Sequence, residues 1–444
     1  MPIPYQPDEA DSQSIGMTFK KTGVKVERWI GYDFASDFLT PSDSFSFQLG
    51  TDENGLPDEL RASLKLGAEI QLHTESNILA TGRIDDIEVG ADRGGGTIYT
   101  IHGRDKLGQT LDSVSDPTFQ LKNGGSLGEL LKQQFKPFGW ANDEQFQLDN
   151  LTNRDARVGK RGAKVRRSTT GGGRSKKRKK KSRGGGSKRL ADFILHQTKP
   201  YNHESVFHFC SRVAQRNGLW IWCSADGQSI VVGEPDYDQE PIFALHRGRD
   251  GRGNIESGTV RYNLSEQPSI LIADSFSPGG GGEYGKGRNR AYIINPMLGL
   301  TDEGDPTPEV LAILAKEKGA VEVTMPIASF PFRTDNIPFR PMYLHDDESK
   351  TQEQLNAFVM REMSLHYRKA LTAQYTVEGH GQQTGDGFVA WAPDTVVVVD
   401  DEIAELRETL YVLGVAFHKS RSGGTNTKLD LVRLHTMPFG EFED

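Results

Sequence analysis

The sequence predicts a mainly β protein of the α+β class, with a small barrel or sandwich at each end of the chain. Three observations carry this expectation. The 444 residues include 49 Gly and 21 Pro, with only 35% hydrophobic residues and a mean hydropathy of −0.55. That composition favours short elements and many turns over a helical bundle. Short β-branched or aromatic runs separated by turn residues dominate the first and last hundred residues. The two ends also resemble each other.

In the first segment the expected strands are Val24–Ile30, Ser44–Leu49, Glu69–Leu72, Ala80–Val89 and Thr97–Ile101. Turns fall at Pro41-Ser42-Asp43, Asn54-Gly55 and Asp92 through Gly96. Leu127, Leu130, Leu131 and Phe135 then share one helical face, and Pro137 and Gly139 end that helix. A second amphipathic helix is expected over Glu204–Asn217, capped by Asn202 and closed by Gly218. A hairpin follows, Leu219–Cys223 and Ser229–Val232, turning at Asp226-Gly227. Further on, strands are expected near Thr259–Tyr262 and Ser269–Ile272, a Gly-rich loop at Pro278–Gly287, and a short helix from Thr307-Pro308 to Gly319. Thr351 and Gln354 open a long helix with Leu355, Phe358, Val359, Met363, His366 and Tyr367 as its stripe. Strands at Thr372–Val377, Asp394–Val399, Thr409–Phe417 and Thr427–Leu434 complete the chain.

The repeat aligns the segment from Leu66 with that from Trp391. Each has a short apolar strand, a longer strand containing a glycine (Gly82, Gly414), a Gly-rich turn and an alternating strand. Ile70 to Gly95 spans 25 positions and Val397 to Gly423 spans 26.

The net charge of −8 hides an asymmetry. Residues 158–189 hold 15 Lys/Arg and no Asp/Glu, so the rest of the chain carries 38 basic against 61 acidic residues, a charge of −23. The insert has eight glycines and three apolar residues, too few to fold alone. Arg166, Arg167, Arg174, Lys176, Lys177, Arg178, Lys179, Lys180 and Lys181 are its candidate polyanion- or partner-binding residues. Such a run binds nucleic acid by counterion release, resembles a nuclear localisation signal, docks on an acidic surface, or remains a solvated loop.

No catalytic, cofactor or metal site is expected. Gly124-Gly125-Ser126-Leu127-Gly128 fits a nucleophile-elbow pattern, but Ser126 and Glu129 make a capping box ahead of an apolar helix. His203 and His208 are five apart, which turns them about 140° from each other on a helix, so no metal is expected there and His208 reads as a partly buried helix residue. Cys210 and Cys223 read as structural reduced thiols. Lys286 lies in a loop without the rest of a phosphate-binding motif. The polar, acidic start does not read as a signal peptide, and no apolar run reaches the ~20 residues of a membrane span.

The stretch NHESVFHFCSRVAQRNGLWIWCSADGQSIVVG from Asn202 resembles a motif of Mu-like myophage baseplate hubs and the related N-terminal region of VgrG spike proteins. The C-terminal part, with its G-D-G before Trp391, the Pro393-Asp394 turn, the strand Gly414–Phe417 and the G-G-T turn, resembles the Mu-like hubs more closely, as does LTPSDSFSFQLG near the start. The basic insert departs from the family pattern.

The resemblance implies two small β-barrel tube-like domains, 1–110 and 338–444, the latter with the long helix. They would be joined by an α/β domain, 111–235, carrying the insert, and a β-rich domain, 236–337. It implies a homotrimeric hub whose six similar domains continue a hexameric tail tube protein and seat a central spike protein. Wedge proteins and the tape measure protein would be neighbours, in a virion tail baseplate made in the bacterial host cytoplasm. The chain stops at Asp444, so the spike is expected as a separate protein. An acidic body would discourage DNA from sticking in such a conduit. The rival readings are a tail-associated cell-wall hydrolase, a VgrG-like secretion spike component, and a nucleic-acid-binding assembly protein acting through the insert.

Overall fold

The computed structural model describes most of the chain between residues 14 and 436; residues 150–194, 277–286 and 325–337, both termini and a few short loop stretches lie outside the described residues. Strand makes up 45% and helix 18%, so the mainly β expectation holds. Among the described residues no helix is long and apolar enough to cross a membrane.

The first unit is β1 (Gly16–Phe19), β2 (Lys25–Val26), β3 (Gly31–Asp37), β4 (Ser44–Thr51), α1 (Asp58–Ser63), β5 (Glu69–His73), β6 (Ile78–Asp92) and β7 (Gly96–Asp105). Alternation builds it: in β5 the burial runs in step with the pleat, Ile70 and Leu72 inward and Glu69, Gln71 and His73 outward. Sequence reasoning missed β3. It assigned Val24–Ile30 to one strand, of which only Lys25–Val26 is one.

A connecting α/β layer follows: α2 (Gly108–Asp112), α3 (Leu127–Phe135), β8 (Phe146–Asp149), α4 (Val206–Gln215), β9 (Trp220–Cys223) and β10 (Ile230–Gly233). Ser126 is a helix cap, as expected. Its Oγ accepts from the Glu129 N–H at 3.2 Å, and Glu129 Oε2 accepts from the Ser126 N–H at 3.0 Å. The cap of α4 is Ser205, not Asn202, with Oγ accepting from the His208 N–H at 3.2 Å. Beside it the Glu204 carboxylate accepts from Arg212 Nε and Nη2 at 2.7 and 2.8 Å. The Glu-Ser and arginine of the sequence motif thus tie the start of α4 to its last turn.

Next come β11 (Phe243–Arg247), β12 (Ile255–Tyr262), β13 (Ile270–Phe276), β14 (Arg288–Ile294), α5 (Pro308–Leu314), β15 (Val321–Glu322) and β16 (Pro341–Asp346). The last stretch is α6 (Gln352–Arg368), β17 (Leu371–Glu378), β18 (Gly381–Thr384), β19 (Gly387–Ala390), β20 (Thr395–Asp401), β21 (Leu406–Ser420) and β22 (Gly424–Arg433). The long helix packs Leu355, Val359 and Met363 on the sheet β15-β14-β13-β16 through Leu271, Ala273, Ala291 and Ile293.

The expected pair of barrels needs correction. No sheet closes into a barrel among the described residues. Instead both chain ends enter one 13-stranded sheet, ordered β12-β17-β22-β21-β3-β4-β7-β6-β5-β1-β2, with β20 and β11 branching from β21. The physical reason is strand pairing. To close a barrel of its own, the first unit would turn β3 back onto β6, but β3 pairs with β21 of the other unit.

Removing the Ser126 hydroxyl leaves the Glu129 N–H without its acceptor. Ser126→Ala is expected to lower stability by about 1 kcal/mol, and Ser126→Thr to lose only part of that, both read from urea unfolding midpoints.

Candidate functional site

The feature that joins the chain ends is one shared strand. Along one edge β21 pairs with β22 from Leu410 to Ser420. Along its other edge the first half, Leu406–Val412, pairs with β20 and the second half, Gly414–Lys419, pairs with β3. A bulge at Leu413 separates the halves, since the register slips between Val412 and Gly414. An extra residue increases local twist and turns the strand edge toward a new neighbour. The Leu413 carbonyl accepts from the Phe38 N–H at 2.9 Å, continuing the ladder onto β3.

The first unit repeats this arrangement. The register of β6 on β7 slips between Ile84 and Asp86, so Asp85 matches Leu413. Gly67 donates to the Ile84 carbonyl at 2.8 Å and Asp394 to the Val412 carbonyl at 3.0 Å. Both donors have positive φ, 76° and 58°. Both hairpins close alike, Asp92 opposite Gly96 and Ser420 opposite Gly424, each glycine at positive φ. Outward from there, β7-β4-β3 matches β22-β17-β12, every pair antiparallel. The sequence alignment of Ile70 with Val397 is the structural one. Its match of Gly82 with Gly414 is not, because Gly82 corresponds to Leu410.

Buried polar side chains lock the joint. His380, with 0% exposure, places Nε2 2.7 Å from the Tyr32 hydroxyl and Nδ1 3.0 Å from Thr427 Oγ1. Its ring stacks on Phe417 with centroids 4.6 Å apart. Tyr32 belongs to β3, while Phe417 and Thr427 belong to β21 and β22. Burial, with Lys419 adding to it, pushes the imidazole down to about 3. A second lock holds β11 on β20: Arg247 donates to both oxygens of buried Asp401, at 2.9 and 2.5 Å, and the Tyr375 hydroxyl donates at 2.9 Å. Burial works against the Asp401 anion, but Arg247, the Ala404 N–H and Tyr375 outweigh it and hold its carboxyl below the usual range.

Two carboxylates that sequence reasoning kept apart converge in a cavity of about 80 Å³ lined by Asp43, Asp105, Trp222 and Cys223. The pairing of Ser44 with Arg104 brings them together. Burial pushes Asp105 up to about 6 and raises Asp43 well above the usual carboxylate range, Asp43 also facing the Asp105 charge. Ser42 Oγ donates to Asp105 at 2.5 Å and the Leu107 N–H at 3.0 Å, so hydroxyl and backbone donors hold the acid in place.

The basic insert, with Arg166 through Lys181, lies outside the described residues, as does Lys286. His203 and His208 are both exposed, which corrects the partly buried reading of His208; its Nδ1 lies 2.9 Å from Ser205 Oγ. Cys210 is buried and Cys223 half-buried, both free, with burial pushing both thiols up. Among the described residues, Asp86, Glu88 and His102 are close enough to share an ion, but they stand open on the sheet surface.

This geometry is a scaffold of strand edges and buried locks. Residues 17–105 match the family described as Mu phage baseplate assembly protein GpP-like, N-terminal. No curated protein matches the chain. Among solved structures, the tail protein from Neisseria meningitidis MC58 has a TM-score of 0.64 at 21% identity, covering 96% of this chain and 97% of that one. The 43 kDa tail protein of prophage MuSo2 from Shewanella oneidensis has a TM-score of 0.62 at 16% identity, covering 96% and 99%. The chain therefore shares the fold of these two proteins over nearly its whole length.

The His380 lock gives a pH dependence. Its folded-state value lies below the ordinary 6.5, so the unfolded chain binds the extra proton between those values. Stability from this group is full above 6.5 and falls with acidity by up to ~1.4 kcal/mol per pH unit. Asp105 acts oppositely, because its value is raised. The test is therefore the difference between wild type and His380→Gln in urea unfolding from pH 7 to 5. The wild-type curve is expected to fall more steeply on acidification.

Proposed function

We propose that this chain, with a Mu-type baseplate domain at residues 17–105 and the fold of phage tail proteins, is a structural baseplate hub of a contractile tail. Three copies form a ring of pseudo-six-fold symmetry that joins the hexameric tail tube protein to the trimeric spike protein. The observation that carries this reading is the repeated strand arrangement at the two chain ends. Two matching units per chain turn three-fold symmetry into six similar surfaces, which cyclic closure of a single-unit protein would not supply.

In this reading residues 1–110 and 338–444 are the tube-like units, the second completed by β11 and β12. Residues 111–235 and 236–337 connect them. Wedge proteins and the tape measure protein are the other neighbours, in a tail baseplate assembled in the host cytoplasm. The role is non-enzymatic. Ser126 is engaged as a helix cap, and Asp105 is held by Ser42 and backbone donors, which supports structural roles for both. The insert 158–189 contacts an acidic partner surface or nucleic acid.

Native mass spectrometry of the purified chain, with and without the spike protein from the same particle, tests this. A trimer supports the reading, and a chain that stays monomeric with both present contradicts it. Deleting 158–189 is expected to leave the trimer intact and to abolish salt-dependent binding to duplex DNA in a gel-shift titration.

A further inference from the structure

The repeat leaves two strand edges without the neighbour that their counterparts have. Within the chain, the second half of β21 is paired with β3. The matching second half of β6, Asp86–Asp92, has β7 on one side and, among the described residues, no strand on the other. The counterpart of β3 is β12, which among the described residues pairs with β17 on one side and with no strand on the other. A bare edge is a template for another strand. We propose that β6 of one copy pairs antiparallel with β12 of a second copy of this chain, repeating between copies the β21–β3 contact made within each. The inference rests on the trimeric reading above and names the surface that builds the ring.

The register follows from the internal copy. Val415 faces Ser36 and Phe417 faces Phe34. Carried over through the bulge and the β7-β4 and β22-β17 ladders, Val415 becomes Ile87, Phe417 becomes Val89, Ser36 becomes Tyr262 and Phe34 becomes Val260. Ile87 thus meets Tyr262 of the partner subunit and Val89 meets Val260 of the partner subunit, while Glu88 falls opposite Arg261 of the partner subunit.

Three independent features suit this register. The first is ladder phase. The Asn263 N–H donates to the Ala370 carbonyl at 2.9 Å, so alternation sends the backbone groups of Val260 and Tyr262 to the open edge. At the next such position the Gly258 carbonyl accepts from Arg247 Nη1 at 3.4 Å, which ends the new ladder there.

The second is burial. Val415, Phe417 and Phe34 are 4%, 1% and 2% exposed inside the existing joint, whereas Val89 is 59% exposed. Ile87, Val260 and Tyr262 are only partly covered at the rim of the same core. Pairing would bury on the open edge what the internal joint already buries.

The third is charge. Glu88 and Arg261 are both exposed and of opposite sign, and opposite charges directly across a ladder are stabilising. The pairing is head-to-tail, β6 against β12, so it forms a ring when the rotation closes. With three copies, β21–β3 and β6–β12 contacts alternate six times around it.

The test places cysteines at the close, non-hydrogen-bonded pair in the full chain. There Cα atoms stand about 4.5 Å apart, within disulfide range. Glu88→Cys with Arg261→Cys, mildly oxidised, is expected to give covalent dimers and trimers on a non-reducing gel. The ladder should stop at three and collapse with reductant, and neither single variant should form it. A double variant that is trimeric by native mass spectrometry yet does not cross-link overturns the inference and leaves the trimeric reading standing. A wild-type chain that stays monomeric with its spike protein overturns both. As a check independent of folding around new thiols, Glu88→Arg is expected to weaken trimer association on the order of tenfold, and Glu88→Arg with Arg261→Glu to restore it. Failure of the swap to restore association also counts against the pairing.

Discussion

The structure depends on one strand serving two units. β21 is 15 residues long, and the bulge at Leu413 divides its free edge between β20 and β3. Without that split, the second unit would keep the whole edge and the first would close on itself. With it, residues nearly 400 positions apart in sequence share a continuous ladder. The cores follow: Phe34 packs against Phe417 across the joint, at 5.8 Å between centroids, and a single cluster takes in residues from Ile15 to Leu431.

The joint is made specific by polar groups placed where they have no cheap alternative. His380 bridges Tyr32 and Thr427 in a site closed to water. A slip of one residue in β3 against β21 would bury Asp33 and expose Tyr32. It would also leave the imidazole without its hydroxyl. Such a network adds less to stability than apolar packing does, but it penalises the wrong register strongly. Arg247 and Asp401 do the same for β11, whose parallel pairing with β20 has no short turn to fix it.

Much of this was legible in the sequence where the signal is local. The strand β17 shows it plainly, Leu371, Ala373, Tyr375 and Val377 all buried in alternation. The cap at Ser126 was legible from its spacing to Glu129, and the repeat from the spacing of Ile70 and Val397 to their glycine turns. What failed were contacts set by distant partners. Gly31–Asp37 carries its own alternation in Tyr32 and Phe34, but the adjacent run ending at Trp29 and Ile30 drew the strand assignment away. Trp29 is buried for its ring, with Nε1 donating to the Ile15 carbonyl at 3.0 Å, and not for a place in a ladder. The resemblance implied two β-barrels, and no local feature in the sequence says that β3 prefers β21 to β6. Asp43 and Asp105 looked unrelated for the same reason, since only the β4–β7 register brings them together.

In the proposed hub, covalent duplication would match the two symmetries, and the two units keep the strand edges that such matching needs. The most direct test is a cryo-electron microscopy reconstruction of the assembled particle at the junction of tube and spike. The account predicts three copies of this chain around the axis and six similar strand units in the ring. β21 would lie against β3 within each copy and β6 against β12 between copies. A chain found away from the axis, or present in six copies with one unit each facing the tube, would contradict it.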